Sequence, residues 1–188
     1  MELKKSERQK RLQGRMITVG VCACSAIPEL FAMLQALRRE GASVEIIMTP
    51  SATKLISPLM MQRESDKPVL VEQFELPKVF DKDHRRQADI MLIAPASANT
   101  VSKIALGICD NLLTTRVMSA RCPVAVVLYC NPAMYEKKSL QRNIAQMKED
   151  GFIFLQEADH PSRFPSTEML VDEIIGIINA SDDAKAAK

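Results

Sequence analysis

Short apolar runs alternate with amphipathic stretches along this chain of 188 residues. The runs carry apolar residues continuously, as strands do when helices cover both faces of a parallel sheet. A shorter run at 69–71 predicts one short strand within 57–80, a segment that contains three prolines and is otherwise predicted to be irregular. The five longer runs predict buried strands at residues 16–23, 44–48, 90–93, 124–128 and 152–155.

The stretches between these runs have apolar residues at helical spacing. Pro28 suits a first helical turn and Gly41 suits the residue after a helix end, so a first helix is predicted between them. Strands that alternate with helices predict an α/β fold, a single-domain doubly wound parallel sheet of the Rossmann-like or flavodoxin-like type. The other predicted helices lie at 52–56, from about 99, at 140–148 and through 169–178.

The length of the chain fits one domain, which we expect at residues 16–180. Residues 1–15 are predicted to form a charged, solvated N-terminal arm. Residues 181–188 are predicted to be a disordered tail, because chain ends with small and charged residues are often poorly ordered.

Composition excludes several classes of function. Lys and Arg number 25 against 23 Asp and Glu, so no basic surface for nucleic acid is predicted. No apolar run reaches the about 18 residues of a membrane span, and no signal peptide follows the charged start. The five cysteines lie between Cys22 and Cys130, in or beside apolar runs, which predicts reduced thiols in a cytoplasmic protein. His84 and His160 have no Cys or His cluster near them, so no metal site is predicted.

Small and hydroxylated residues follow three of the predicted strands. The carboxyl ends of parallel strands meet at one edge of a sheet, where helices begin, and such loops are suited to binding a phosphate. Ordinary helix capping explains each loop taken alone. The candidate cofactor-binding residues are Cys24, Ser25 and Ala26 in the first loop, Thr49 and Ser51 in the second, and Ser97, Ala98, Asn99 and Thr100 in the third.

Residues 95–115 read PASANTVSKIALGICDNLLTT. This signature run resembles the homo-oligomeric flavin-containing cysteine decarboxylases. It is most similar to the epidermin-type peptidyl-cysteine decarboxylases and nearly as similar to phosphopantothenoylcysteine decarboxylase, and a looser likeness extends over 16–178. The resemblance implies FMN as the cofactor, bound by the three loops. It also implies a homo-oligomer, a trimer or a dodecamer, with FMN between subunits.

The resemblance leaves the catalytic base open. Family members carry a His eight residues before the Asp of an Ala-Asp pair, which here is Ala88 and Asp89, and that count arrives at Asp81. His84 follows three residues later, about one helical turn along. Asp81 is the base, or His84 is the base through a shifted register, or the chemistry is lost and His84 is an ordinary solvated residue.

The substrate side resembles the family's Pro-x-Met-Asn-x-x-Met-Trp motif, whose Asn binds the substrate carboxylate. Asn131 and Met134 keep the register of that motif, whereas its Pro, first Met and Trp are replaced. An ordinary Asn-Pro turn is the alternative explanation for Asn131. Arg163 lies in residues 160–164, the counterpart of the flap that closes over the substrate, and is a third candidate contact.

Together these likenesses predict FMN-dependent oxidative decarboxylation of a cysteine, specifically the C-terminal Cys of a peptide, to an enethiol. The alternative is a flavin-binding homo-oligomer or partner subunit without decarboxylase activity. A second alternative is phosphopantothenoylcysteine decarboxylase, which the sequence disfavours because that enzyme has a flap Cys and no Cys follows Cys130 here. A flavin prenyltransferase is a further alternative, which shares the fold but lacks the DNLLTT signature.

Overall fold

The computed structural model describes residues 10–74 and 88–187. Within them, five parallel strands form one sheet in the order β2-β1-β3-β4-β5. This is the flavodoxin-like arrangement, in which ligands bind at the carboxyl edge where the strand order reverses. The predicted α/β doubly wound fold is therefore confirmed. The strands are β1 (Met16–Val21), β2 (Ser43–Met48), β3 (Ile90–Ala96), β4 (Val124–Leu128) and β5 (Ile153–Phe154).

Helices cover both faces of the sheet. Helices α1 and α7 lie against each other on one face, and α3 lies between α4 and α6 on the other. Successive residues of β3 point to opposite faces of the sheet. Leu92 packs in the core beneath α1 and α7, whereas Ile93 packs in the core beneath α3, α4 and α6. The helices are α1 (Ile27–Arg39), α2 (Pro58–Met61), α3 (Ala98–Ala105), α4 (Leu112–Met118), α5 (Pro132–Tyr135), α6 (Lys138–Glu149) and α7 (Thr167–Ala186).

Several predicted elements differ from the structure. The helix predicted at 52–56 is a single 3-10 turn, Ala52–Lys54, and the strand predicted at 69–71 is one bridge between Ile47 and Leu70. Helix α2 forms within the segment predicted to be irregular, since Pro58 begins it and the Ser57 side chain caps it. Helix α4 was not predicted.

The two ends of the described chain pack onto the domain. Residues 181–186 were predicted to be disordered but continue α7, where Asp182 pairs with Arg15. Leu12 lies in the region predicted to be a solvated arm, yet its side chain is 1% exposed. Arg11 is held by ion pairs to Glu40 and Asp172. Apolar burial and ion pairing thus connect both ends to the domain.

No helix in residues 10–74 or 88–187 is both long and apolar enough to cross a membrane. The same residues contain no group of His, Cys, Asp and Glu able to hold a metal ion.

Candidate functional site

A cavity of about 590 Å³ opens where the loops after β1, β2, β3 and β4 meet at the carboxyl edge of the sheet. Eight of the nine predicted cofactor-binding residues line it. The exception is Ala26, which is fully buried below the first loop. The lining residues are Ala23, Cys24, Ser25, Thr49, Pro50, Ser51, Ser97, Ala98, Asn99, Thr100, Lys103, Asp110, Asn111, Tyr129, Cys130, Asn131 and Met134.

Two of the three predicted substrate-binding residues line the cavity and one does not. Asn131 and Met134 line the cavity, as do the residues that begin α3. Arg163 does not line it, and its side chain is exposed in the turn 160–163. That turn lies against the end of β4, because the Cys130 N–H donates to the Ser162 carbonyl at 3.2 Å. Asp81 and His84 lie outside the described residues.

Hydroxyl groups in two of the loops cap the structures that follow them. The Ser97 Oγ accepts the Thr100 N–H at 3.2 Å and lies 3.1 Å from the Thr100 hydroxyl. The Thr49 Oγ1 accepts the Ala52 N–H at 3.2 Å. Capping is therefore a real role of these side chains, and it fixes their oxygen atoms at the rim of the cavity.

The first loop differs from the other two. Helix α1 begins after Ala26, which makes no side-chain hydrogen bond to cap it. The first N–H groups of a helix have no partner within the helix, so the N–H groups of Ile27 and Glu29 are left to another acceptor, whereas Pro28 has no N–H. Ser25 and Cys24 line the cavity directly before this helix end. A phosphate is the kind of acceptor that helix N-termini favour, and this loop therefore fits the phosphate end of FMN.

Three thiols lie at or beside the cavity wall. Cys24 is 7% exposed, and its Sγ lies 3.6 Å from the Tyr129 carbonyl oxygen. Burial raises the pKa of Cys24 to about 12, with smaller contributions from Cys22 and Cys130. Burial also raises the pKa of the Cys22 and Cys130 thiols. All three are therefore neutral near pH 7, and Cys24 and Cys130 line the cavity as apolar groups.

Asn131 has a fixed orientation. Its Oδ1 accepts the Ala133 N–H at 2.8 Å and so caps α5. The Asn-Pro turn predicted as the alternative therefore forms, since Pro132 follows at the first position of α5. The Nδ2 group makes no hydrogen bond within the described residues and remains a donor at the cavity.

Sequence reasoning missed Tyr129 and Cys130 in the lining, and also a cluster of three polar residues. Lys103, Asp110 and Asn111 meet on one wall of the cavity, where the Lys103 Nζ lies 2.5 Å from Asp110 Oδ2. All three belong to the signature run 95–115. Their place in that run was the one feature of the sequence that could have identified them. That they lie close together depends on the conformation of the loop between α3 and α4.

The Flavoprotein family model matches residues 5–182 of this chain. The chain is 34% identical over 151 residues to the coenzyme A biosynthesis bifunctional protein CoaBC of Bacillus subtilis. That match covers 79% of this chain and 37% of the relative, and the chain spans less than half of each of the first CoaBC relatives.

Solved structures of similar sequence include proteins named as FMN-dependent cysteine decarboxylases. The chain is 25% identical to the FMN-dependent cysteine decarboxylase SpaF with a TM-score of 0.71, over 91% of this chain and 99% of that one. It is 26% identical to the epidermin biosynthesis protein EpiD from Staphylococcus aureus with a TM-score of 0.66, over 74% and 81% of the two chains. The family match over most of the sequence, the shared fold and the cavity at the expected edge of the sheet show that this chain belongs to the Flavoprotein family.

Proposed function

We propose that this chain binds FMN in the cavity at the carboxyl edge of the sheet. The proposed reaction is oxidative decarboxylation of a cysteine, specifically the C-terminal cysteine of a peptide, to an enethiol. Family membership and the likeness to a protein named as an FMN-dependent cysteine decarboxylase support the proposal. The single observation that carries it is that residues 97–100 of the signature run and Asn131 line one cavity.

When bound, FMN supplies a two-electron oxidation of the cysteine CH2–SH group to a thioaldehyde, after which loss of CO2 from the neighbouring carbon leaves the enethiol. The chain's own part is to hold the substrate in place. Asn131 is suited to the carboxylate, because it lines the cavity and the bond from Ala133 to its Oδ1 leaves its Nδ2 available as a donor. Asp81 and His84 remain the proposed alternatives for the base that accepts the thiol proton.

Phosphopantothenoylcysteine decarboxylase is the second candidate function. The CoaBC relatives favour it, because their identity to this chain reaches 34%, above that of the solved cysteine decarboxylases. This reaction is redox-neutral, so the product loses CO2 but keeps both hydrogens. No Cys follows Cys130 in the sequence, where family members with this activity carry a flap Cys, and this departure favours the oxidative reaction.

One experiment separates these functions. The absorption spectrum and extracted flavin of the purified protein are measured, and a peptide ending in Cys is then added without oxygen. Flavin bleaching with loss of CO2 and two hydrogens supports the oxidative reaction. Loss of CO2 alone from phosphopantothenoylcysteine, without net bleaching, supports the second candidate. Bound flavin without turnover of either substrate supports a flavin-binding protein that lacks decarboxylase activity.

The same peptide with a C-terminal amide is the matched control, since it keeps the thiol and removes the carboxylate. We expect it to give no CO2 and no enethiol. Failure of the protein to bind any flavin after reconstitution with FMN contradicts all three functions.

We also infer that the chain assembles into a homo-oligomer, a trimer or a dodecamer. Three apolar side chains near the ends of α3 and α4 support this inference. Leu106, Ile108 and Met118 are 69%, 42% and 59% exposed, and Ile108 and Met118 line a groove of about 440 Å³. Exposed apolar surface of this kind is typical of protein interfaces.

A further inference from the structure

A chain of hydrogen bonds runs along one wall of the cavity from helix α4 to Lys103 of helix α3. It begins at Asn111, whose Oδ1 accepts the Thr114 N–H at 3.1 Å and caps α4. The Asn111 Nδ2 donates to Asp110 Oδ1 at 3.0 Å. Lys103 Nζ donates to Asp110 Oδ2 at 2.5 Å. The first turn of α4 therefore fixes the position of the Lys103 ammonium group.

The two members of this ion pair differ in what they offer a ligand. Both carboxylate oxygens of Asp110 accept a hydrogen bond, and the bond from Lys103 holds the pKa of Asp110 below its usual value. The ammonium group has three N–H donors, of which one is used within the described residues. The ion pair therefore offers a ligand the unused N–H donors of Lys103, whereas both Asp110 oxygens already accept a hydrogen bond.

Lys103 is also the only cationic side chain among the described residues that line the cavity. The other polar side chains of that lining, apart from Asp110, are neutral hydroxyl, amide and thiol groups. The Lys103 side chain is 27% exposed, so its charge is less screened than that of a lysine on the open surface. A negatively charged ligand group in this cavity therefore has one side chain of opposite charge to meet.

We propose that Lys103 is the oxyanion-binding side chain of this cavity and that Asp110 positions it. The inference rests on the proposed function, which supplies two sources of an oxyanion: the phosphate of FMN and the carboxylate of the cysteine substrate. A charge-assisted hydrogen bond to either group favours binding by about 10- to 100-fold. If the ion pair of Lys103 and Asp110 only holds α3 against α4, it does not increase the affinity for a ligand that carries an oxyanion.

The test compares Lys103→Met with Lys103→Arg and with Lys138→Met, an exposed lysine outside the cavity. In the first arm, FMN and riboflavin are titrated separately into flavin-free protein and followed by flavin fluorescence. In the second arm, a peptide ending in Cys and its C-terminal amide are titrated calorimetrically into FMN-loaded protein without oxygen. Riboflavin lacks the phosphate and the amide lacks the carboxylate, so each pair isolates one oxyanion.

If Lys103 binds the phosphate, Lys103→Met weakens FMN about 10-fold or more and leaves riboflavin unchanged. If it binds the substrate carboxylate, FMN affinity is unchanged and only the peptide acid binds more weakly, about 10-fold or more. In either case Lys103→Arg restores part of the lost affinity and Lys138→Met has none of these effects. Asp110→Asn weakens binding of the same ligand. Asp110→Glu keeps that affinity, because only a carboxylate can hold the ammonium group in place.

Equal weakening of FMN and riboflavin contradicts the inference, since the phosphate is then not the group that Lys103 meets. Unchanged affinities in both arms, with lowered thermal stability alone, assign the ion pair a purely structural role and also contradict it. Wild-type protein that binds FMN in such a result leaves the proposed function standing. Wild-type protein that binds no flavin contradicts the proposed function and the inference together.

Discussion

Cys24 shows how the protein protects a thiol of its own beside a site proposed to oxidise thiols. Burial raises its pKa from 9.0 to about 12, so almost none of it is thiolate near pH 7. The thiolate is the reactive form of cysteine. Cys24 therefore lies at the cavity without competing with a substrate thiol.

We predict that alkylation of Cys24 by iodoacetamide in the native protein rises about tenfold per pH unit from pH 9 to pH 11. In the unfolded chain the rate levels off above pH 9, where an ordinary thiol is already ionised. As the pH rises, Cys24 therefore ionises in the unfolded chain before it ionises in the folded protein. Its contribution to stability is complete below pH 9 and is lost as the pH rises through about 12. Mass spectrometry of the Cys24 peptide measures the rates, and a native rate that levels off near pH 9 contradicts the prediction.

Asn131 combines two roles that one substitution separates. Aspartate caps a helix as well as asparagine does, so Asn131→Asp keeps the bond that begins α5. The new carboxylate replaces the amide donor and repels a substrate carboxylate. We predict unchanged melting temperature and FMN content, with a loss of about 100-fold or more in kcat/KM for a peptide ending in Cys.

Asn131→Ser is the matched control, because serine keeps the cap and adds no charge. We expect it to lose about 10-fold, less than Asn131→Asp. Unaltered kcat/KM in Asn131→Asp would show that this residue only forms the turn before α5.

The residues of the site were predictable from sequence to the extent that they lie at strand ends. Residues 97–100 directly follow the apolar run of β3, and the rule that ligands meet this edge of a parallel sheet places them. Lys103 was not predictable in this way, because it lies within a helix and meets Asp110 only across the α3–α4 loop. Arg163, predicted from its place in the family flap, lies in an exposed turn and does not line the cavity.

Strands were predicted more accurately than helices, for a physical reason. Strand β4 has the predicted bounds, Val124–Leu128, because a buried strand in a two-sided sheet is apolar at every position. Helix α4 spans seven residues and buries Leu112, Leu113, Thr114 and Val117. A seven-residue segment has too few turns for the spacing of its apolar residues to distinguish a helix from a loop. The capping box at Asn111 was the only local sign that a helix begins there.

Gly20 sets how closely α4 approaches the sheet. A Cβ at this position would lie 2.4 Å from Leu113 Cδ1, and Leu113 is fully buried. We predict that Gly20→Ala lowers the free energy of unfolding by about 1–3 kcal/mol, because the leucine must leave its rotamer or α4 must shift. Chemical denaturation measures the change.

Gly176→Ala is the control, since no atom lies within 4 Å of a Cβ there and alanine favours the helix interior of α7. We expect it to stabilise the protein or leave it unchanged. In Gly20→Ala, a shift of α4 also moves Asn111, so weaker FMN binding would distinguish movement of the helix from a change in the Leu113 rotamer alone. Equal stability of Gly20→Ala and wild type contradicts the close approach of α4.

At the scale of the whole molecule, the two ends of the described chain are joined by charge. Arg15 pairs with Asp182 of α7 and, at 3.1 Å, with Asp89 at the start of β3. Asp89 Oδ2 in turn accepts the Met16 N–H at 2.8 Å. Composition indicated two solvated termini because it counts charges, whereas only the fold shows that the positive charges of one end meet the negative charges of the other.

The groove near the ends of α3 and α4 lies on the helical face that contains α6, away from the α1–α7 face. Covering Ile108 and Met118 with another copy of the chain would remove apolar surface from water, at about 25 cal/mol per Å². A carboxylate placed there would have to lose its water without a partner. We therefore predict that Ile108→Glu and Met118→Glu lower the native mass, measured by light scattering after size-exclusion chromatography, from that of the proposed oligomer to that of a monomer.

Ala184→Glu adds the same charge at an exposed position near the end of α7 and should leave the native mass unchanged. If FMN lies between subunits, as the family resemblance implies, the groove variants also lose bound FMN in proportion to their dissociation. A groove variant that becomes monomeric and keeps its FMN would place the whole cofactor site within one chain. An unchanged native mass in both groove variants would instead exclude this groove as the subunit interface.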